Sequence, residues 1–364
     1  MNLAQQQVID LEQQRQTLME EFVDWRQRAE AGKKLEKHQS QLTAITAQLE
    51  GFLNSIQPLD SQTPPPFTEL DEVKRYLLGA QRMWAYFRSK LALRYLEWLW
   101  DDLVCADELA WACYKPLLDK ARQVGAIGQE ALKEPPLIFF SGDSSPFAQA
   151  RDTRFAPEGV TRRDFDDFGE ALLRLPVTVI GVPWFQVNLL PTAAVIGHEV
   201  GHAVEHDFGL EAVLESAFAD LDIPDSRKAG WLAWRHELFA DAFGILCTGP
   251  ASVMALLDYL IGDVDSIQQE RVSAPNWGRY PSRHLRMLVN FELLGQLGLQ
   301  DAAMEDAWNG TYKFDQMGSY KQDVAKVVAA LLGMKVPTLG DVVLTDVLQF
   351  SPGDLSHVQD IALD

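Results

Sequence analysis

The chain has 364 residues, of which 47% are hydrophobic and 23% charged, the balance of a folded globular protein and far from that of a disordered or fibrous one. Its formal charge of -20, from 32 Lys and Arg against 52 Asp and Glu, repels polyanions, which argues against nucleic acid and anionic membranes as partners. The length suits about two domains.

The first residues, MNLAQQQVIDLEQQRQ, have neither a basic start nor an apolar core, so no secretory signal is expected. No run reaches the roughly 18 apolar residues of a membrane-spanning helix, and the expected location is the cytoplasm. Cys105, Cys113 and Cys247 are odd in number and form no metal-type pair, so they read as buried small apolar residues.

In residues 1–57, Val8, Leu11, Leu18, Phe22 and Trp25 precede Gly32, and Leu35, Leu42, Ile45, Leu49, Leu53 and Ile56 follow it. Steps of three, four and seven predict two amphipathic helices hinged near Gly32. This hairpin either packs on its own protein or serves homo-oligomerisation or partner docking. Residues 58–67 carry four prolines, Pro58, Pro64, Pro65 and Pro66, and form a linker. Residues 68–134 form a long helical region. Up to about residue 114 it reads as one helix or two abutting ones, with Trp84, Trp98, Trp100 and Trp111 as a core stripe.

Between residues 135 and 190, β-branched and aromatic runs alternate with turn residues, which predicts two or more strands. Beyond residue 191 the pattern is helical, with breaks near 209, 224, 249 and 275. The expected fold is α+β, dominated by helices, with a helical N-terminal region ahead of a second domain over 135–364.

The segment AAVIGHEVGHAVEH, residues 193–206, carries the chemistry. In HEVGH, His198 and His202 are four apart, hence about 40° apart around a helix, and both can reach one ion. Ala193, Ile196, Val200, Ala203 and Val204 fall on the packing side. Glu199 lies about 100° round from His198, where a carboxylate can take a proton from a metal-held water. Thr192 is the expected N-cap and Gly209 the expected stop. A chance match to this motif in such a chain is on the order of one in a hundred, so a third ligand is needed.

KAGWLAWRHELFADAFGILCTGP predicts a helix over about 228–247. Glu237 and Asp241 share one face with Ala233, Trp234, Ala240, Gly244 and Ile245. Carboxylates buried among small apolar residues need a cation or firm hydrogen bonds. Glu237 as third zinc ligand and Asp241 as acceptor from a ligand histidine's ring meet that demand. His206 and His236 read as supporting or surface histidines, and Glu205 is given no role.

HEVGH followed by HELFAD resembles the gluzincin metallopeptidases, in which a Glu from a second helix completes His-His-Glu zinc ligation. YPSRHLR, residues 280–286, is similar to the His-Pro-x-x-x-x-Arg element of the branch that includes the CAAX-prenyl endopeptidases. The resemblance covers about residues 177–290, and it implies a zincin-like catalytic domain and a peptide or protein substrate. Tyr280 stands where that branch has His, and this chain lacks the membrane helices of its best-known members. The metzincin pattern fails, because its Gly and third His would fall at Glu205 and Phe208.

With three protein ligands zinc keeps a position open for chemistry, and Glu199 acts as the base. Arg286 or Tyr280, with His284 third, is the expected oxyanion donor. The run Val177–Pro183 reads either as an edge strand for a substrate backbone or as a plain core strand. Two other readings share the zinc site: a hydrolase of a non-peptide amide, and a non-catalytic zinc-stabilised interaction protein that works through its N-terminal half.

Overall fold

The computed structural model describes residues 2–128, 134–155, 171–186, 189–270, 277–313, 318–348 and 350–363. Helix α1 (Leu3–Gln27) opens on a capping box in which the Asn2 side chain accepts from the Gln5 N–H and the Gln5 carboxamide accepts from the Asn2 N–H. The two bonds satisfy donors that a helix start leaves unpaired. The chain turns at Gly32, whose φ of 77° suits a residue without a Cβ, and returns as α2 (Gln39–Ser55). All the apolar positions singled out by helical spacing, from Val8 to Ile56, are buried. They pack between α1, α2 and α3 (Phe67–Ala92).

Two abutting helices occupy the next region: α3 ends in a 3-10 turn at Leu93–Tyr95, and α4 runs over Glu97–Gln123. The tryptophan stripe is not continuous core. Trp84 is fully buried, edge-on to Phe22 and Trp25, but Trp98 is 62% exposed. On α4 the buried stripe falls on Leu99, Leu103 and Ala106, and Trp98 sits about 100° to one side of Leu99. Cys105 lies off the same stripe and is exposed, contrary to expectation, whereas Cys113 is buried and Cys247 partly so.

Strands β1 (Leu137–Ser141), β2 (Phe147–Gln149) and β3 (Val179–Pro183) form a sheet in the order β1-β3-β2. Of the two readings of this run, substrate edge or core strand, the second holds, since β3 is the central strand. Both of its sides are already paired, and all five of its residues are buried, as a continuous apolar run indicates.

Helices follow: α5 (Leu190–Ala193), α6 (Val195–Asp207), α7 (Glu211–Ala219), α8 (Asp225–Thr248), α9 (Pro250–Leu260) and α10 (Val264–Gln269). Beyond them lie α11 (Arg283–Gln296), α12 (Ala302–Thr311), α13 (Gly318–Lys321), α14 (Val324–Gly333) and α15 (Pro352–Leu363). The stretch after residue 191 is not wholly helical, since β4 (Lys335–Val336) and β5 (Val342–Val343) pair antiparallel. Two-residue strands are too short to show alternation in a sequence. The break expected near 275 lies outside the described residues.

Contacts divide the chain into two compact units. Unit one holds Met1–Leu103, Leu137–Phe139 and Gln149–Val179, and unit two holds Val104–Pro136, Phe140–Ala148 and Ile180–Asp364. The described chain is helix-dominated with few, short strands, and none of its described helices is long and apolar enough to cross a membrane.

Candidate metal centre

The HEVGH helix, α6, is preceded by the short α5, and Thr192 does not cap it. The Thr192 hydroxyl donates to the Leu189 carbonyl, and Ala194 holds the cap position with no side-chain bond. The helix stops where expected, at Gly209 with φ 64°. Helix α6 packs on α8 through small residues on both. A Cβ on Gly197 would meet the Gly244 Cα at 3.2 Å, and one on Gly201 would meet the Ala240 Cα at 2.9 Å. This close approach lets short side chains from the two helices converge on one point.

His198 Nε2 lies 3.5 Å and His202 Nε2 3.7 Å from Glu237 Oε2. The imidazoles stand edge to face, 4.9 Å between centroids. One donor atom from each of His198, His202 and Glu237 lies within 4.8 Å of the other two, a group able to hold a metal ion. A tetrahedral zinc with bonds of about 2.0–2.1 Å separates its ligand atoms by about 3.3 Å, so the carboxylate-to-imidazole spacings fit within a few tenths of an ångström. The two oxygens of Glu237 are divided in use. Oε1 accepts from Arg279 Nε at 2.8 Å, and Oε2 faces the histidines.

Behind this group His198 Nδ1 is 2.8 Å from Asp241 Oδ1, a contact bent from the hydrogen-bond line, and it leaves Nε2 as the outward donor. Asp241 is in turn clamped by Arg286, whose Nε and Nη2 each donate at 2.7 Å, and by Asn290 Nδ2 at 3.2 Å. Arg286 Nη2 also lies 3.6 Å from Glu237 Oε2.

Electrostatics follow from this packing. Burial opposes ionisation of Glu237 and Asp241, yet the histidines and Arg286 hold both carboxyls well below the usual carboxylate range. Burial likewise opposes charge on His198, but Asp241 and Glu237 outweigh it and push the imidazole up to about 9 without a metal. Glu199 moves the other way: burial raises its carboxyl, against the pull of His198 and His202.

The three residues nominated as oxyanion donors part company. Arg286 is buried and committed to carboxylates. Tyr280 is 48% exposed, its ring within 5.6 Å of the guanidinium carbons of Arg279 and Arg286. His284, two residues before Arg286 and hence about 200° round α11, stacks on Trp308 and accepts from its Nε1 at 3.4 Å. Glu205, left without a role by the sequence, is buried and bonds His236, and His206 is largely outward with Asp207 at 3.5 Å.

A cleft of about 520 Å³ lies against His202, His206, His236 and Arg279, and another of about 410 Å³ against Leu260, Tyr280, Pro281 and Arg286. A larger groove, about 630 Å³, runs along α1 in unit one and has no His or Cys in its wall. The sequence reading missed Arg279. Its position one residue before the Tyr280 element, in GRYPSRHLR, was the available signal. Comparison with known proteins gives no matching family model, no matching curated protein and no matching solved structure.

Proposed function

We propose that this chain is a zinc-dependent metallopeptidase of gluzincin type, with a zincin-like catalytic domain in its C-terminal part and a peptide or protein substrate. The observation that carries this reading is the convergence of His198, His202 and Glu237 donors, with Asp241 behind His198 and Glu199 beside it. Neutral imidazole nitrogens and one carboxylate oxygen are a donor set that zinc accepts. When bound, zinc supplies a Lewis acid that polarises a carbonyl and acidifies water.

The chain's own residues do the rest. Glu199, buried and raised in pKa, accepts the proton of the attacking water and returns it to the leaving nitrogen, so that an amide becomes an acid and an amine. Asp241, fixed by Arg286 and Asn290, orients His198. Arg279 holds one oxygen of Glu237 and leaves the other for the metal. Tyr280, at the exposed side of the site, donates to the carbonyl oxygen. A structural zinc has four protein ligands. Only three donors converge among the described residues, and clefts open beside His202 and Tyr280. This supports catalysis over the interaction-protein reading.

Metal content of protein purified without added zinc, measured on wild type, Glu237→Ala and Glu199→Gln, tests the proposal together with a quenched peptide library. The expected result is about one zinc per chain in wild type, loss in Glu237→Ala, and retained zinc without cleavage in Glu199→Gln. A wild type that neither carries nor rebinds zinc defeats it. Turnover of non-peptide amides alone would move the same site to the other hydrolase reading.

A further inference from the structure

Arg279 joins the metal centre to the cleft of about 520 Å³ beside His202. Its Nε donates to Glu237 Oε1, and the other oxygen of that carboxylate faces the two histidines. One carboxylate thus separates the guanidinium from the atoms that would hold a metal, and the charge of Glu199 reaches it as well as that of Glu237. The side chain is nevertheless 69% exposed. The Tyr280 ring lies 5.5 Å from its guanidinium carbon, but its two terminal nitrogens have no hydrogen-bond or ion-pair partner among the described residues. A guanidinium presents a planar fork of N–H donors, and all but the one on Nε remain for a group that enters the cleft.

The rest of the wall indicates what that group is. Glu205 and His236 are bonded to each other, and Glu211 has Arg235 at 3.8 Å. Each carboxylate in the wall therefore already faces a cation or an imidazole, and the uncommitted charge is that of Arg279. Gly209 and Ala233 add little bulk to the same wall. A planar fork of charged donors is answered best by a carboxylate, which offers two oxygens and a full negative charge where a carbonyl offers one oxygen and none. Distance places that carboxylate on the substrate. A residue spans about 3.3–3.6 Å of extended chain, and Arg279 lies against the carboxylate that faces the histidines, so a peptide with its scissile carbonyl at the metal brings to Arg279 a group on a residue flanking the cut bond.

We propose that Arg279 is a specificity-determining residue that binds a carboxylate carried by a substrate residue flanking the scissile bond. The inference rests on the peptidase reading and names the substrate class of that site. The carboxylate has two sources, an Asp or Glu side chain and the terminal carboxylate of a peptide cut one residue from its end.

The test uses zinc-loaded wild type, Arg279→Gln and Arg279→Lys on matched peptides built from the best-cleaved library sequence. Two pairs carry Glu or Gln at one or the other position flanking the cut bond, and a third ends one residue beyond that bond as a free acid or an amide. The readout is the ratio of kcat/KM within a pair. That ratio does not depend on how much of the enzyme holds zinc, so any loosening of Glu237 in a variant cancels. Wild type is expected to favour the carboxylate member of one pair by about 10–100-fold, the worth of a charge-assisted hydrogen-bond pair, mostly through KM. The ratio falls to near parity in Arg279→Gln and to an intermediate value in Arg279→Lys, which keeps the charge but not the fork. Preference within a Glu pair assigns the side chain as the source, and preference within the third pair assigns the terminus.

Parity in wild type on every pair, with the peptides cleaved and Glu199→Gln inactive, overturns the inference and leaves the peptidase reading intact. A wild-type preference that survives undiminished in either Arg279 variant also overturns it, because another group then reads the carboxylate. Undiminished cleavage in Glu199→Gln, or no cleavage of any peptide by zinc-loaded wild type, overturns both.

Discussion

Units one and two each bury an arginine, and they satisfy it by different means. In unit one Arg94 donates, among its partners, to His38 Nε2 at 2.9 Å and to the carbonyls of Lys90 and Ile138 at 3.1 and 2.9 Å. His38 passes the chain on, since Nε2 accepts from Arg94 and Nδ1 faces Gln41 Oε1 at 2.6 Å. Lys90 in the same unit lies over aromatic rings, 3.2 Å from the Tyr86 centroid and 4.3 Å from that of Phe139. In unit two Arg286 faces Asp241 and Glu237, with Glu199 also buried nearby. Neutral acceptors and π faces let a cation rest in a core. A group of buried carboxylates calls for positive charge, which Arg286, Arg279 and the His198 imidazole supply and to which a metal ion held by His198, His202 and Glu237 could add.

The largest expected effect separates the two arginines. Arg286→Met leaves Asp241 buried without its Arg partner and should cost about 3–5 kcal/mol, whereas Arg94→Met strands the His38 ring nitrogen and the Lys90 and Ile138 carbonyls and should cost about 1–3 kcal/mol. Urea unfolding of metal-free protein reads both, and equal losses would break the comparison. Next comes Asp241→Asn, which keeps the shape but weakens the hold on His198. Zinc affinity by competition titration should fall about 10–100-fold, while His38→Gln leaves it unchanged.

Glycines give the third contrast. A Cβ at Gly201 meets Ala240 backbone and Phe243, so Gly201→Ala should destabilise by about 1–3 kcal/mol and loosen zinc by spreading α6 from α8. Gly51, mid-helix in α2, has open space around it, and Gly51→Ala should stabilise by about 0.5–1 kcal/mol. Melting curves of the two variants moving the same way would count against this packing.

The smallest effect is in pH. The metal-free pKa of His198, raised to about 9 from 6.5, means the native state binds more protons between those values. Its stabilising contribution is complete below the unfolded value and is lost as pH rises through about 9. Burial lowers Lys90 from 10.5 to about 8, so its contribution has the opposite sign, with stability gained as pH rises across that window. Unfolding of metal-free wild type, His198→Asn and Lys90→Met from pH 6.5 to 10 should show each slope vanish in its own variant. Zinc must displace the His198 proton, so its affinity should climb with pH up to about 9 and then level off.

Local spacing alone placed much of this. The apolar positions of α1 and α2, the shared face of His198 and His202, and the pairing of Glu237 with Asp241 on α8 all follow from 3.6 residues per turn, a property of one helix at a time. Periodicity is silent on which elements meet. The packing of α6 on α8 through Gly197, Gly201, Ala240 and Gly244 brings His202 to Glu237, 35 positions apart in the chain. The same tertiary choice gives Arg286 to Asp241 and Arg279 to Glu237, turns His284 toward Trp308, and makes β3 a central strand. The helix period determined what each segment could present. Only the close approach of distant helices, set by where side chains are absent, decided what each would face.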